Sequence, residues 1–213
     1  MKMTLLLLIT ISLSVFAIAQ EKQNSFKVGT TIEYDVRPNG NQLKCFLTID
    51  KLLEDTVSFA WMMPATMNRD EWSGKIIVTG PSLHASEIGY WDPPVNEDEM
   101  VLPGYQNFLM IPRDRYAKLK KTGQMEFDGQ TFNTIMNEFG GFVEYVVGHD
   151  KIRALRANST NGNTSIWILD DHNFPLLLRM DGNPYYLDFE LVGLKQGNGK
   201  KEIDVRLFDL NNQ

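Results

Sequence analysis

Thr31 to Val36 reads TIEYDV, and the alternation within this stretch decides the fold class. Ile32, Tyr34 and Val36 interleave with Thr31, Glu33 and Asp35. A period of two sends the apolar side chains to one face of an extended strand and the polar ones to the other. The same period recurs outward along the chain. Val57, Phe59 and Trp61 alternate with Ser58 and Ala60, and Leu187, Phe189 and Leu191 with Asp188 and Glu190. Ile203, Val205 and Leu207 alternate with Asp204 and Arg206. Strands with one apolar and one polar face belong to antiparallel sheets that cover a core on one side only.

The connections agree. Asp128-Gly129 in EFDGQTF is a favoured pair for a two-residue hairpin, because both positions need positive φ. VEYVVGHDKIRAL turns at Gly148-His149-Asp150, and RPNGNQ, STNGNTS and KQGNGKK carry the same Asn/Gly chemistry. One helix is predicted in IPRDRYAKLKKTG. Pro112 suits a first turn, Asp114 the positive end, Lys118, Lys120 and Lys121 the negative end, and Gly123 the close. Tyr116 and Leu119 share its inner face, so its basic residues have a structural job. The segment TGPSLHASEIGYWDPPVNEDEMVLPGYQ is broken by Pro81, Pro93, Pro94 and Pro103, which predicts loops with a short helical turn near Leu83. Its Trp, Tyr, Met and Leu content is too high for disorder. The expected fold is mainly β, a β-rich α+β arrangement in which a curved antiparallel sheet or half-barrel carries one or two short helices.

At the N-terminus, MKMTLLLLITISLSVFAIAQ has Lys2, an apolar run from Leu5 to Ala17, and Ala17-Ile18-Ala19. These are the charged region, apolar region and small-residue cleavage site of a secretory signal peptide. Residues 1–19 are therefore expected to be removed and residues 20–213 to form a single β-rich domain. Export to the periplasm or the extracellular space follows. After cleavage no apolar run is long enough for an integral membrane helix, which predicts a soluble mature chain. The net charge is −6 with no block of basic residues outside the helix, a poor balance for binding nucleic acid. Cys45 is the sole cysteine and alternates with Leu43, Leu47 and Ile49, so it is expected in the core as a small hydrophobe.

Few motifs carry chemistry. His84, His149 and His172 are the three histidines; none forms HExxH, and no CxxC pair exists. NEDEM lacks the pattern of a calcium loop and reads as a solvated loop. GxSxG, Walker and GxGxxG motifs are absent. Asp170-Asp171-His172 in IWILDDHNFPLLLRM could hold a metal or move a proton. Asp and Asn are also turn formers, and Pro175 keeps Phe174 extended, so the stretch reads as a turn between two strands. No catalytic residue, metal ligand or cofactor is assigned from the sequence.

Signal peptide, FKVGTTIEYDV, the Gly-led strand SGKIIVT, MIPRDRYAKLKKTGQMEF, VEYVVGHDKIRALRA, IWILDDHNFPLLLRMD and YYLDFELVGL follow one another in an order that looks familiar. It resembles exported bacterial proteins of unknown function whose fold is related to the lipoprotein-carrier (LolA/LolB-like) half-barrel. The resemblance implies a curved antiparallel sheet wrapped around helices and loops, and it supplies no catalytic motif. The chain departs from lipoprotein members in having no cysteine after the cleavage site, which argues against a lipid tether.

Two functional readings follow. In the first, a non-enzymatic binding or carrier module holds an apolar small molecule, a lipid or a peptide segment against the curved sheet. Tyr34, Phe59, Trp61, Trp167 and Phe189 are then expected on the concave side. Four of them lie in phase with apolar neighbours, whereas Trp167 sits in Ile166-Trp167-Ile168-Leu169, which is apolar on both faces. In the second, a hydrolase draws its catalytic groups together only in the fold.

Overall fold

A computed structural model describes residues 26–67, 69–92 and 98–197. The signal-peptide stretch and the alternation at Ile203, Val205 and Leu207 lie outside the described residues.

Two meanders make one large sheet. The first runs through β1 (Thr31–Pro38), β2 (Leu43–Leu52), β3 (Thr56–Met63) and β4 (Trp72–Thr79). The second runs through β10 (Phe142–Val147), β11 (Asp150–Ser159), β12 (Ser165–Leu169), β13 (Leu177–Asp181) and β14 (Leu187–Lys195). Between them the chain forms a short helix α1 (Gly80–Ala85), β5 (Ile88–Gly89), β6 (Glu99–Val101), β7 (Gln106–Asn107), helix α2 (Arg113–Thr122) and the hairpin β8 (Gln124–Phe127) to β9 (Gln130–Thr134). The sheet has the order β6-β4-β3-β2-β1-β14-β13-β12-β11-β9-β8, with β10 also on β11; β5 and β7 form a small separate pair. Neighbours in the large sheet are antiparallel except β4 and β6, which run parallel. The seam joining the meanders is β1 against β14, paired from Thr31↔Lys195 to Pro38↔Leu187.

The alternation read from TIEYDV sets the faces. Ile32, Tyr34, Val57, Phe59, Trp61, Ile166, Ile168, Phe189 and Leu191 are buried on one side and belong to a single core. The opposite side carries a charged ladder in which Lys44 pairs with Glu33 and Asp35, and Arg179 with Asp181 and Glu190. The turns read at RPNGNQ and EFDGQTF hold, whereas Asn198 to Lys201 of KQGNGKK lie outside the described residues. Asn39 and Gly40 take φ of 49° and 81° between β1 and β2, and Asp128 and Gly129 take 54° and 70° between β8 and β9.

Helix α2 closes as the sequence predicts, while Pro112 stands just before its first turn as the N-cap residue. Gly123 adopts φ 75° and its N–H returns to the Leu119 carbonyl, while Tyr116 and Leu119 point into the core. Its basic residues are structural where they are bonded. Buried Arg113 donates to the carbonyls of Asn173 and Glu54, Arg115 to those of Ser86 and Glu126, and Lys120 to Asp170. Among the described residues no helix is long and apolar enough to cross a membrane.

The sheet opens between β13 and β14, which share only Arg179↔Glu190 and Met180↔Phe189. Leu109 to Ile111 fills the gap from the inside. Leu177 N–H donates to the Leu109 carbonyl and Ile111 N–H to the Pro175 carbonyl, both at 2.8–3.0 Å. Two tyrosines satisfy main-chain carbonyls left over there. Tyr34 donates to Leu177 at 2.7 Å, and Tyr145 to Leu191 at 3.1 Å and Leu178 at 3.3 Å.

Candidate functional site

One end of the sheet holds an apolar cavity of about 120 Å³. Its floor is made by inward side chains of three adjacent strands, at the end of β1 and the starts of β2 and β14. Tyr34 faces Cys45 across β1–β2, and Val36 stands between Leu43 and Phe189. Met63 and Trp72, from the end of β3 and the start of β4, close the side toward the sheet edge. Trp91 closes the side over β14, its ring 6.1 Å from that of Phe189. Phe189 also meets Tyr34 edge-on, at 5.7 Å and 86°. Aromatic pairs in such tilted and T-shaped arrangements add to the burial of their area and hold each other's rotamers.

Trp91 is held from outside the cavity. Its indole N–H donates to the Asp128 carboxylate at 2.8 Å, and the other carboxylate oxygen accepts the Gly89 N–H at 3.3 Å. The ring lies flat over Gly89, where a Cβ would overlap it. Asp128 therefore serves twice, as the first residue of the β8–β9 turn and as the anchor of a cavity wall. Burial raises its pKa above the ordinary carboxylate value, and the two donated hydrogen bonds pull it part of the way back.

Leu109 lines the cavity with φ 51°. A branched side chain in the left-handed region costs about 1–2 kcal/mol, and such conformations persist where neighbours over-determine them. Here the bond from Leu177 N–H to the Leu109 carbonyl is the constraint.

The polar groups at the cavity are few. Burial pushes the Cys45 thiol up to about 12, with Arg69 pulling weakly the other way, so the thiolate that would act as a nucleophile is scarce at neutral pH. The Tyr34 hydroxyl is committed to the Leu177 carbonyl, and burial raises its pKa well above the usual value. Asp92 stands exposed at the rim. Arg69, in the β3–β4 connection, contributes a guanidinium stacked over Trp72.

Of the five aromatics expected to line a concave site, the structure brings Tyr34 and Phe189 together in the cavity. Phe59 and Trp61 share that face but lie deeper, fully buried; Phe59 packs on Phe108 and Phe174. Trp167 corrects the expectation. Ile166 and Ile168 take the core, so Trp167 stands on the charged face between the guanidiniums of Arg156 and Arg179. Alternation left no other side for it once its two neighbours were inside.

Asp170-Asp171-His172 forms the expected turn, with Asp171 accepting from the Asn173 and Phe174 N–H groups and His172 exposed. Asp170 does more than turn the chain. It receives Tyr116 at 2.8 Å, Lys120 at 2.7 Å and Arg153 at 3.0 Å, which docks α2 onto β11 and β12. Ser82 and His84 do not form a catalytic pair: Ser82 is buried and donates to the Pro103 carbonyl, and exposed His84 faces Asp114 at 3.7 Å. Among the described residues no group of three or more His, Cys, Asp or Glu side chains could hold a metal ion.

Sequence reasoning passed over Arg69, Trp72, Tyr90 and Trp91, all at the cavity. The available signal was the aromatic content of GYWDPP within a proline-broken segment. No protein-family model, curated protein or solved structure matches the chain.

Proposed function

We propose that this protein is an exported, non-enzymatic binding or carrier module that takes the apolar end of a ligand into the cavity between β1, β14 and Trp91. The carrying observation is the cavity itself, an almost wholly apolar recess with an aromatic lining, open at one end of the sheet. Sites of this kind bind by excluding water from apolar surface, with a few polar groups fixing orientation. Its volume of about 120 Å³ approaches the roughly 150 Å³ of an engineered cavity that binds benzene. It suits one ring or a short alkyl segment, with the remainder of the ligand outside. The committed Tyr34 hydroxyl and the protonated Cys45 favour binding over covalent chemistry there.

Trp72 and Trp91 make the test direct. Dodecanoic acid brominated near its methyl end should quench tryptophan emission saturably, and plugging the cavity with Val36→Phe should abolish the quenching without unfolding the chain. Quenching equal in both proteins would reject the cavity as the site.

A further inference from the structure

Arg69 is the cation of the cavity. Thr66 and Arg69 exchange backbone hydrogen bonds of 2.7 and 3.3 Å, which fixes the base of the side chain. The guanidinium carbon sits 5.3 Å from the centre of the Trp72 ring. One terminal nitrogen donates to the Pro64 carbonyl at 3.2 Å, and the other lies 3.8 Å from the Met63 sulfur, a weak acceptor. Nε is shut off from solvent and has no acceptor among the described residues. A guanidinium carries five N–H donors in a rigid fork, so most of this one's capacity is unspent.

The other arginines show how unusual this is. Arg37, Arg153 and Arg179 each reach a carboxylate, and Arg113 and Arg115 spend their donors on carbonyls. The Nε of Arg37 and of Arg156 also lacks a partner, but Arg37 reaches two carboxylates through a terminal nitrogen and Arg156 stacks on Trp167 on the charged side; neither lines the cavity. No carboxylate of the described residues forms an ion pair with Arg69. A charge with idle donors beside an apolar recess is costly unless something completes it.

Building on the cavity reading, we infer that the ligand is an anionic amphiphile whose carboxylate or phosphate head is received by Arg69 while its apolar tail enters the cavity. The fork geometry matches two oxygens of either group, and the contacts with Trp72 and the Pro64 carbonyl position it in advance of binding. Asp92 borders the same cavity and opposes an anion, but it is exposed and screened by solvent, whereas the Arg69 Nε is not.

Calorimetric titration of the full chain with dodecanoate, dodecyl phosphate, dodecanol and dodecyltrimethylammonium, each below its micelle concentration, tests this. The two anions should bind about tenfold or more tighter than dodecanol, the scale of a charge-assisted hydrogen bond. The order of the anions separates carboxylate from phosphate as the head. Arg69→Gln should bring the affinity for the two anions down to that of dodecanol for the same variant, Arg69→Lys should keep part of the preference, and Asp92→Asn should strengthen it. Dodecanol binding as tightly as dodecanoate, or an undiminished anion preference in Arg69→Gln, would overturn the assignment while leaving the cavity reading intact. Tightest binding of the ammonium compound would overturn it too. Binding of none of the four would overturn both.

Discussion

The indole N–H of Trp91 lies 2.8 Å from the Asp128 carboxylate, so a wall of the cavity is tied to a hairpin 37 residues further along the chain. The bond couples the two regions in both directions: what loosens the β8–β9 turn frees Trp91, and what displaces Trp91 strands a buried carboxylate.

That carboxylate gives stability a pH dependence whose sign is fixed. The folded-state pKa of Asp128 is raised above its unfolded value near 3.8, chiefly by burial. Its contribution is then fully present below that value and is lost as pH rises through the folded pKa. Asp128→Asn keeps the turn geometry and an acceptor for Trp91 but cannot titrate. Urea midpoints of both proteins from roughly pH 3 to 8 should show the wild type gaining relative to the variant toward acid. A difference that does not vary with pH would contradict the assignment.

Tyr34→Phe removes one oxygen from a fully buried site and leaves the Leu177 carbonyl without its hydroxyl donor. The expected cost is about 1–3 kcal/mol, the penalty for an orphaned buried acceptor. Chemical denaturation reads it directly. A loss within 0.5 kcal/mol, the range of neutral surface changes, would mean that the carbonyl finds another partner.

The DDH turn should divide sharply on mutation. Asp170→Ala deprives Tyr116, Lys120 and Arg153 of a shared acceptor and should cost about 1.5–3 kcal/mol, because the lost bonds are charge-assisted and the Tyr116 hydroxyl is largely buried. His172→Ala, at an exposed position, should stay within about 0.5 kcal/mol. Thermal melts of the two variants suffice; equal losses would show that the turn acts as one unit.

Cys45, the sole cysteine, reports on the cavity. With its thiol pushed up to about 12 it should react with iodoacetamide far more slowly in the folded protein than in urea. Saturating dodecanoate should slow it further. A folded-state rate matching the rate in urea would place the thiol outside the core, and a rate untouched by dodecanoate would place the ligand elsewhere.

Much of the fold was legible because one face of each long strand is buried, and burial on one face writes a period of two into the sequence. Ile32-Tyr34 and Phe59-Trp61 carry it plainly, and Gly123 and Asp128-Gly129 mark their turns through positive φ. Trp167 was illegible for the converse reason: neighbours apolar on both sides erase the phase, and its cover comes from Arg156 and Arg179 on other strands. The candidate site was half legible. Tyr34 and Phe189 follow from alternation, but Trp91 and Asp128 meet only through the chain's return path, and Arg69 enters the cavity from the β3–β4 connection. No local spacing encodes a carboxylate in one turn bonding an indole in another loop. Asp170 shows the same limit, since turn propensity explains its position and says nothing of the three donors that converge on it.

The seam of β1 against β14 bears on how the chain reaches this structure. Thr31 pairs with Lys195, so the first strand waits for nearly the last described residue before both its edges are bonded. Until then the β1–β4 meander has an open edge, the kind that templates mispairing. Contacts of such sequence separation raise the entropic barrier to folding and slow it toward milliseconds or seconds. A nascent chain stopped short of β14 cannot complete either the central seam or the cavity floor, because Phe189 belongs to both. Closure therefore waits until β14 has been made, and the seam and the cavity floor are completed together.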